Sequence, residues 1–138
     1  MRLLLDTNIV LDFLGANKGF TDDADELFRF ADAHKDIKFV SSSAITDIVY
    51  VLRRAFKDNE EVRKKFASFR RKIDILSVTC EDIDKAFSRN WKDFEDAVQY
   101  TVAESNDIDY IITRNVKDFE ENTIPAIEPR DFIERYLK

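Results

Sequence analysis

Four aspartates set the chemical question. Asp6 ends a short apolar run, Leu3-Leu4-Leu5, and passes directly through Thr7-Asn8 into a helical pattern. A run that stops on a carboxylate before a helix puts that carboxylate at the carboxyl end of a buried strand, where open α/β sheets gather their sites. Asp6 therefore reads as the first ligand of a metal site; it reads equally as a cap for the helix it precedes. Asp47 stands in Ala44-Ile45-Thr46-Asp47-Ile48-Val49-Tyr50-Val51-Leu52, a stretch apolar on several faces that predicts a helix buried against the sheet. A carboxylate there is costly to ionise without a cation or donor, unless it answers the N–H groups of the helix start. Asp96 precedes the packed pair Ala97-Val98 and shares a helical face with Tyr100, while Asp93 and Glu95 beside it read as capping and dipole residues. Asp118 follows Thr113-Arg114-Asn115 at the end of another strand-like run.

The elements that must position these residues are legible in outline. Helices are expected from Thr7 to Leu14, closed by Gly15, then from Thr21 through Ala31, from Ala44 through Leu52, from Asn59 to Lys72, from Cys80 through Phe87, from Asp93 onward and from Pro129 to Leu137. Between them, Ile37–Val40, Ile73–Val78 and Asp109–Ile112 read as strands, with Ile124–Ile127 a short edge strand where Pro125 is tolerated. Strands alternating with helices across short polar turns call for a parallel sheet covered on both faces. In that geometry the strand ends at Asp6 and at Asn115–Asp118, and the early helical turns at Asp47 and Asp96, reach one rim.

Composition narrows the class. The 138 residues, 44% hydrophobic with two Gly and two Pro, suit one helix-rich domain over residues 1–138 with a single core. One cysteine, Cys80, excludes an internal disulfide and a cysteine metal cage, and the lone His34 offers it no paired base. No run approaches the roughly 20 apolar residues of a membrane helix, so the expectation is a cytoplasmic protein with no membrane partner. The net charge of −6 argues against a general nucleic-acid binder, but a basic middle third, from Arg53 to Lys72, offers either a solvated helix face or a phosphate track.

Four motifs in order carry a family resemblance: Leu5-Asp6-Thr7-Asn8, Ser43-Ala44-Ile45-Thr46-Asp47-Ile48, Asp93-Phe94-Glu95-Asp96-Ala97-Val98-Gln99 and Ile112-Thr113-Arg114-Asn115-Val116-Lys117-Asp118-Phe119. The chain resembles a PIN-domain ribonuclease of the VapC toxin type nearly end to end. The resemblance implies a three-layer α/β/α PIN-like domain with a central, mostly parallel sheet. It further implies divalent-metal-dependent cleavage of RNA, a homodimer and inhibition by an antitoxin protein. By motif, Asp6 and Asp96 correspond to the family's metal-binding carboxylates. The chain departs from the family twice: Asp47 stands where Glu is usual, one methylene shorter, and Asn115 stands where many relatives have Asp, with Asp118 following.

The chemistry of such a set follows from charge. Two carboxylates about 4 Å apart cost roughly 4 kcal/mol at an effective dielectric of 20. Clustered on one rim they need a cation, and oxygen-only ligands select Mg²⁺ or Mn²⁺ over zinc. On this reading Asp6 and Asp96 hold the principal metal, Asp47 assists or positions a water, and Asp118 contributes from the outer side. Thr7, Asn8 and Thr113 orient carboxylates or phosphate by hydrogen bonds, and Arg114 meets the substrate backbone. Two rivals stand beside it: a silent PIN-like module holding RNA or a protein, favoured by Asp47 and Asn115, and a phosphatase with an aspartyl nucleophile, disfavoured because Asn8 stands where a second Asp is wanted.

Overall fold

The computed structural model describes residues 1–137. Its sheet grows from the strand before Asp6. In β1 (Arg2–Leu5) successive side chains point to opposite faces, so Leu3 and Leu5 enter one core and Leu4 another. All three are wholly buried, and each such leucine contributes about 1.5–3 kcal/mol of transfer free energy. A strand buried on both faces belongs at the centre of a parallel sheet. β2 (Ile37–Ser41) and β4 (Tyr110–Ile112) flank β1, with β3 (Asp74–Leu76) and β5 (Ala126–Ile127) at the edges. The order is β3-β2-β1-β4-β5, and all four pairings are parallel.

Among the described residues, seven helices cover the two faces. On one lie α1 (Thr7–Phe13), α2 (Thr21–Ala33), α3 (Ile45–Ala55), α4 (Asn59–Lys72) and α7 (Pro129–Leu137), sharing a core that includes Ile9, Phe28, Leu52, Phe69 and Phe132. On the other, α5 (Cys80–Arg89) and α6 (Phe94–Ser105) pack together, and Tyr100 and Ala103 of α6 meet Leu4, Phe39 and Ile111 of the sheet. This is the expected three-layer α/β/α architecture. Among the described residues no helix is long and apolar enough to cross a membrane.

Several boundaries have visible causes. Gly15, at φ +85°, takes the left-handed conformation that ends α1 just after Leu14. Thr79 and Asp82 form a reciprocal capping box at the start of α5, with N–H donations of 3.1 and 3.0 Å. The edge strand shrinks to two residues; Pro125 has no N–H to give, yet its carbonyl still accepts from the Ile111 N–H at 2.9 Å.

β3 is also shorter than its expected span, Ile73–Val78, and α3 differs from its expectation in burial. α3 is not buried on several faces: Ile48 and Leu52, four apart, are its buried residues, while Tyr50 is 60% exposed. Counting apolar residues overstated its burial because only one stripe of a helix can face the sheet.

Candidate functional site

β1 and β4 are neighbours, with Leu5 opposite Ile112, so the residues after each strand meet at the carboxyl edge of the sheet. The sheet order reverses direction between these strands, which opens the crevice where α/β proteins take ligands. The Asp6 N–H still donates to the Ile112 carbonyl at 2.9 Å, fixing its backbone to that edge.

The Asp6 side chain is 6% exposed and held by three donors. Its Oδ1 accepts from the Thr7 N–H at 2.7 Å and from Gln99 Nε2 at 2.9 Å, and its Oδ2 accepts from Thr113 Oγ1 at 2.7 Å. The capping reading of Asp6 therefore holds: its side chain accepts the first N–H of α1. An ionised carboxylate has about four acceptor positions. Three are filled, and one is left for a ligand. Thr113, wholly buried, itself accepts the Asn115 N–H at 3.0 Å, so the turn after β4 and the Asp6 carboxylate are wired through one hydroxyl.

Gln99 was missed from sequence, where it passes for a polar helix residue. Its signal is spacing: three residues after Asp96, it shares that residue's face of α6. The face that reaches Asp6 through Gln99 therefore carries Asp96 to the same crevice. Asp96 is buried, its N–H donates to Asp93 Oδ1 at 3.1 Å, and its carboxyl is pushed up to about 8. Burial contributes most to that rise, followed by the charges of Asp6, Asp93, Asp118 and Glu95. Glu95, read as a dipole residue, also belongs here: burial, then the charges of Asp47, Asp6 and Asp93, raise its pKa.

Asp47 itself is exposed in the first turn of α3 and faces Glu95, so it is not the stranded carboxylate the apolar stretch implied. Asp118 ends a short 3-10 turn, Val116–Asp118, and acts on Asp96 through charge. Asn115 begins that turn and contributes backbone bonds: its N–H reaches Thr113, and its carbonyl accepts from the Asp118 N–H at 3.0 Å. Arg114 is engaged elsewhere. It donates to Asp12 from Nε at 2.8 Å and Nη2 at 3.3 Å and lies 3.8 Å over the Phe20 ring, answering a carboxylate only 1% exposed. The basic residues Arg53, Arg54, Arg63, Lys64, Arg70, Arg71 and Lys72 are exposed on α3 and α4, and among the described residues none makes an ion pair.

The donor set suits a hard dication. Acids from the end of β1, from α3, from α6 and from the turn after β4 act on one another, and their charge is expressed as raised carboxyl pKa values. Two buried oxygens next to Asp6, Thr7 Oγ1 and Asn8 Oδ1, have no hydrogen-bond partner, which marks a place where a bound group is expected to supply one. Among the described residues no three His, Cys, Asp or Glu side chains form a ready-made cage. Magnesium does not require one: it keeps several waters and is held by one or two carboxylates.

Comparisons with known proteins bear on the fold and the family. Residues 2–117 match a family model described as a PIN domain. No curated protein matches the chain. Among solved structures, VapBC2 from Rickettsia felis bound to a DNA fragment from its promoter is similar with a TM-score of 0.69 and 18% identity, over 93% of this chain and 98% of that one. DNA-bound VapBC from Salmonella typhimurium gives 0.68 and 16%, over 93% and 97%. VapC20 from Mycobacterium tuberculosis, a sarcin-ricin loop cleaving toxin, gives 0.61 and 16%, over 79% and 86%.

Proposed function

Because the chain belongs to the PIN-domain family, we propose that it is a divalent-metal-dependent endoribonuclease, the toxin of a toxin–antitoxin pair. The observation that carries this is the meeting of Asp6 and Asp96 across the β1–α6 crevice, with Gln99 binding one from beside the other. Structural neighbours support the partner and the substrate: one is a toxin–antitoxin complex, two are VapBC structures and one is a sarcin-ricin loop cleaving toxin. The reading includes a cytoplasmic location, an antitoxin protein that restrains the enzyme, and a homodimer.

Asp6 and Asp96 would hold Mg²⁺ or Mn²⁺ directly, with Asp47, Glu95 and Asp118 reaching from the rim. When bound there, such an ion would polarise a water and neutralise charge developing on the phosphodiester. Thr113 and Gln99 keep the Asp6 carboxylate turned toward the crevice, and Asp93 fixes the first turn of α6 so that Asp96 enters it. Asn8 and Thr7 would offer their unpartnered oxygens to a bound group, while Arg114 holds the β4 turn against α1 through Asp12.

The direct test is cleavage of single-stranded RNA with and without Mg²⁺ or Mn²⁺; a folded protein inert under every metal condition would refute the proposal. A second expectation concerns Thr113. Thr113→Val removes the bond to Asp6 at almost constant shape, and losing such an orienting partner costs about 10–100-fold in metal affinity or activity. Thr113→Ser should recover most of it, and a metal titration of the two variants decides.

The direction with pH follows from Asp96. Without metal its carboxyl, pushed up to about 8, holds a proton at neutral pH. Metal must displace that proton, so below about pH 8 affinity should fall about tenfold per pH unit. Activity at limiting metal falls in parallel toward acid. Isothermal titration of Mn²⁺ between pH 6 and 9 checks the slope; an affinity independent of pH would contradict the assignment of Asp96.

A further inference from the structure

Two lysines beside the acid cluster lack partners that their surroundings would readily supply. A cleft of about 210 Å³ is lined by Lys92, Asp93, Lys117, Asp118 and Glu120. Three of its five lining residues are carboxylates, yet among the described residues neither lysine makes an ion pair. The adjoining cleft, about 360 Å³, shares Lys117 and Asp118 and continues past Asn115 to Arg114, so the two form one path along the turn after β4.

That path runs beside the reacting groups. Asp93 and Asp118, which line it, are two of the acids whose charge raises Asp96. Arg114, the other cation on the path, is already answered by buried Asp12. Glu120, which could have neutralised Lys92, instead accepts that residue's backbone N–H at 2.7 Å. The ammonium groups are left exposed on their flexible stems.

The walls are also fixed in place. Arg89 donates to Thr101 Oγ1 at 2.9 Å, to Glu104 and to Glu121, and the Ile124 N–H donates to the Tyr100 hydroxyl at 3.2 Å. The segment carrying Lys117 is thereby tied to α5 and α6. A polyanion crossing an acidic protein of net charge −6 needs cations at the point where its phosphate enters the cluster.

We infer that Lys92 and Lys117 are the phosphate grip of the active site, holding the RNA backbone on the Asp118 side. The inference rests on the ribonuclease reading for its substrate and goes beyond it in assigning these residues.

The test is cleavage and fluorescence-anisotropy binding of a labelled single-stranded RNA, comparing wild type, Lys92→Ala/Lys117→Ala and Lys64→Ala/Lys72→Ala. The two double variants remove equal charge. The first should raise KM about tenfold with kcat and Mn²⁺ affinity unchanged. Its salt dependence should lose about 1.4 from the log–log slope, two contacts at about 0.7 each on a single strand. Lys92→Arg/Lys117→Arg should restore binding. An unchanged KM, or an equal loss in the α4 variant, overturns the inference. Wild type that binds RNA without cleaving it, with binding still lost on removing Lys92 and Lys117, sustains the grip while sinking the nuclease reading.

Discussion

Asp6→Asn is expected to abolish metal-dependent RNA cleavage, by about a thousandfold or more, while leaving the fold intact. Asparagine caps a helix as well as aspartate does, so the Thr7 N–H keeps its acceptor. The amide oxygen can also keep the Gln99 bond, and the amide NH₂ can turn to a lone pair of the Thr113 hydroxyl. What is lost is the negative charge at the one open acceptor position of a carboxylate whose other positions are filled. A thousandfold corresponds to about 4 kcal/mol of barrier, within what a metal's charge stabilisation supplies to phosphoryl chemistry. Single-turnover cleavage at saturating Mn²⁺, beside thermal melts, separates chemistry from folding. Parent-like cleavage by a well-folded variant would remove Asp6 from the mechanism. Wild type whose melting is indifferent to Mg²⁺ and Mn²⁺ would favour the silent module, since an occupied site stabilises by mass action.

The parts of this site that sequence disclosed are those whose position follows from a local pattern. Asp6 was visible because a three-leucine strand ends on it, and Asp96 because it adjoins the buried Ala97-Val98 pair. Strand and helix order followed from alternation alone, and α4 matches its expected limits, Asn59 to Lys72, because Asp58 caps one end and the apolar stripe stops at Ile73. Contacts made across the fold were not legible. Glu95 looked like a dipole residue because its partner, Asp47, is 48 positions away in the chain. Arg114 looked available to substrate because nothing near it in sequence reveals that Asp12 is buried. The motif resemblance named the carboxylates, and the chemistry of the set gave Thr113 an orienting role that its bond to Asp6 matches; neither singled out Gln99.

Asp96→Asn is expected to stabilise the metal-free protein at pH 8 by about 2–4 kcal/mol. The folded-state pKa of Asp96, about 8, lies above the ordinary 3.8 because burial and the charges of Asp6, Asp93, Asp118 and Glu95 oppose its ionisation. Below about pH 4 the folded and unfolded chains both carry the proton, and the residue costs nothing. Between about 4 and 8 the folded chain retains a proton that the unfolded chain has released, so stability falls as pH rises and the full penalty is present above about 8. At about 1.4 kcal/mol per pH unit the interval sets a ceiling near 6 kcal/mol, part of which the neighbouring acids share. Asparagine at this position removes the cost at high pH and changes little at pH 4. Excess Mg²⁺ should reverse the ranking, because ligand at about a thousand times its Kd stabilises wild type by about 4.1 kcal/mol and the variant hardly at all. Urea unfolding at pH 5 and 8, with and without Mg²⁺, reads all four conditions. A variant less stable than wild type at pH 8 without metal, or one that gains equally from Mg²⁺, would mean that Asp96 is not the strained carboxylate around which the ion assembles.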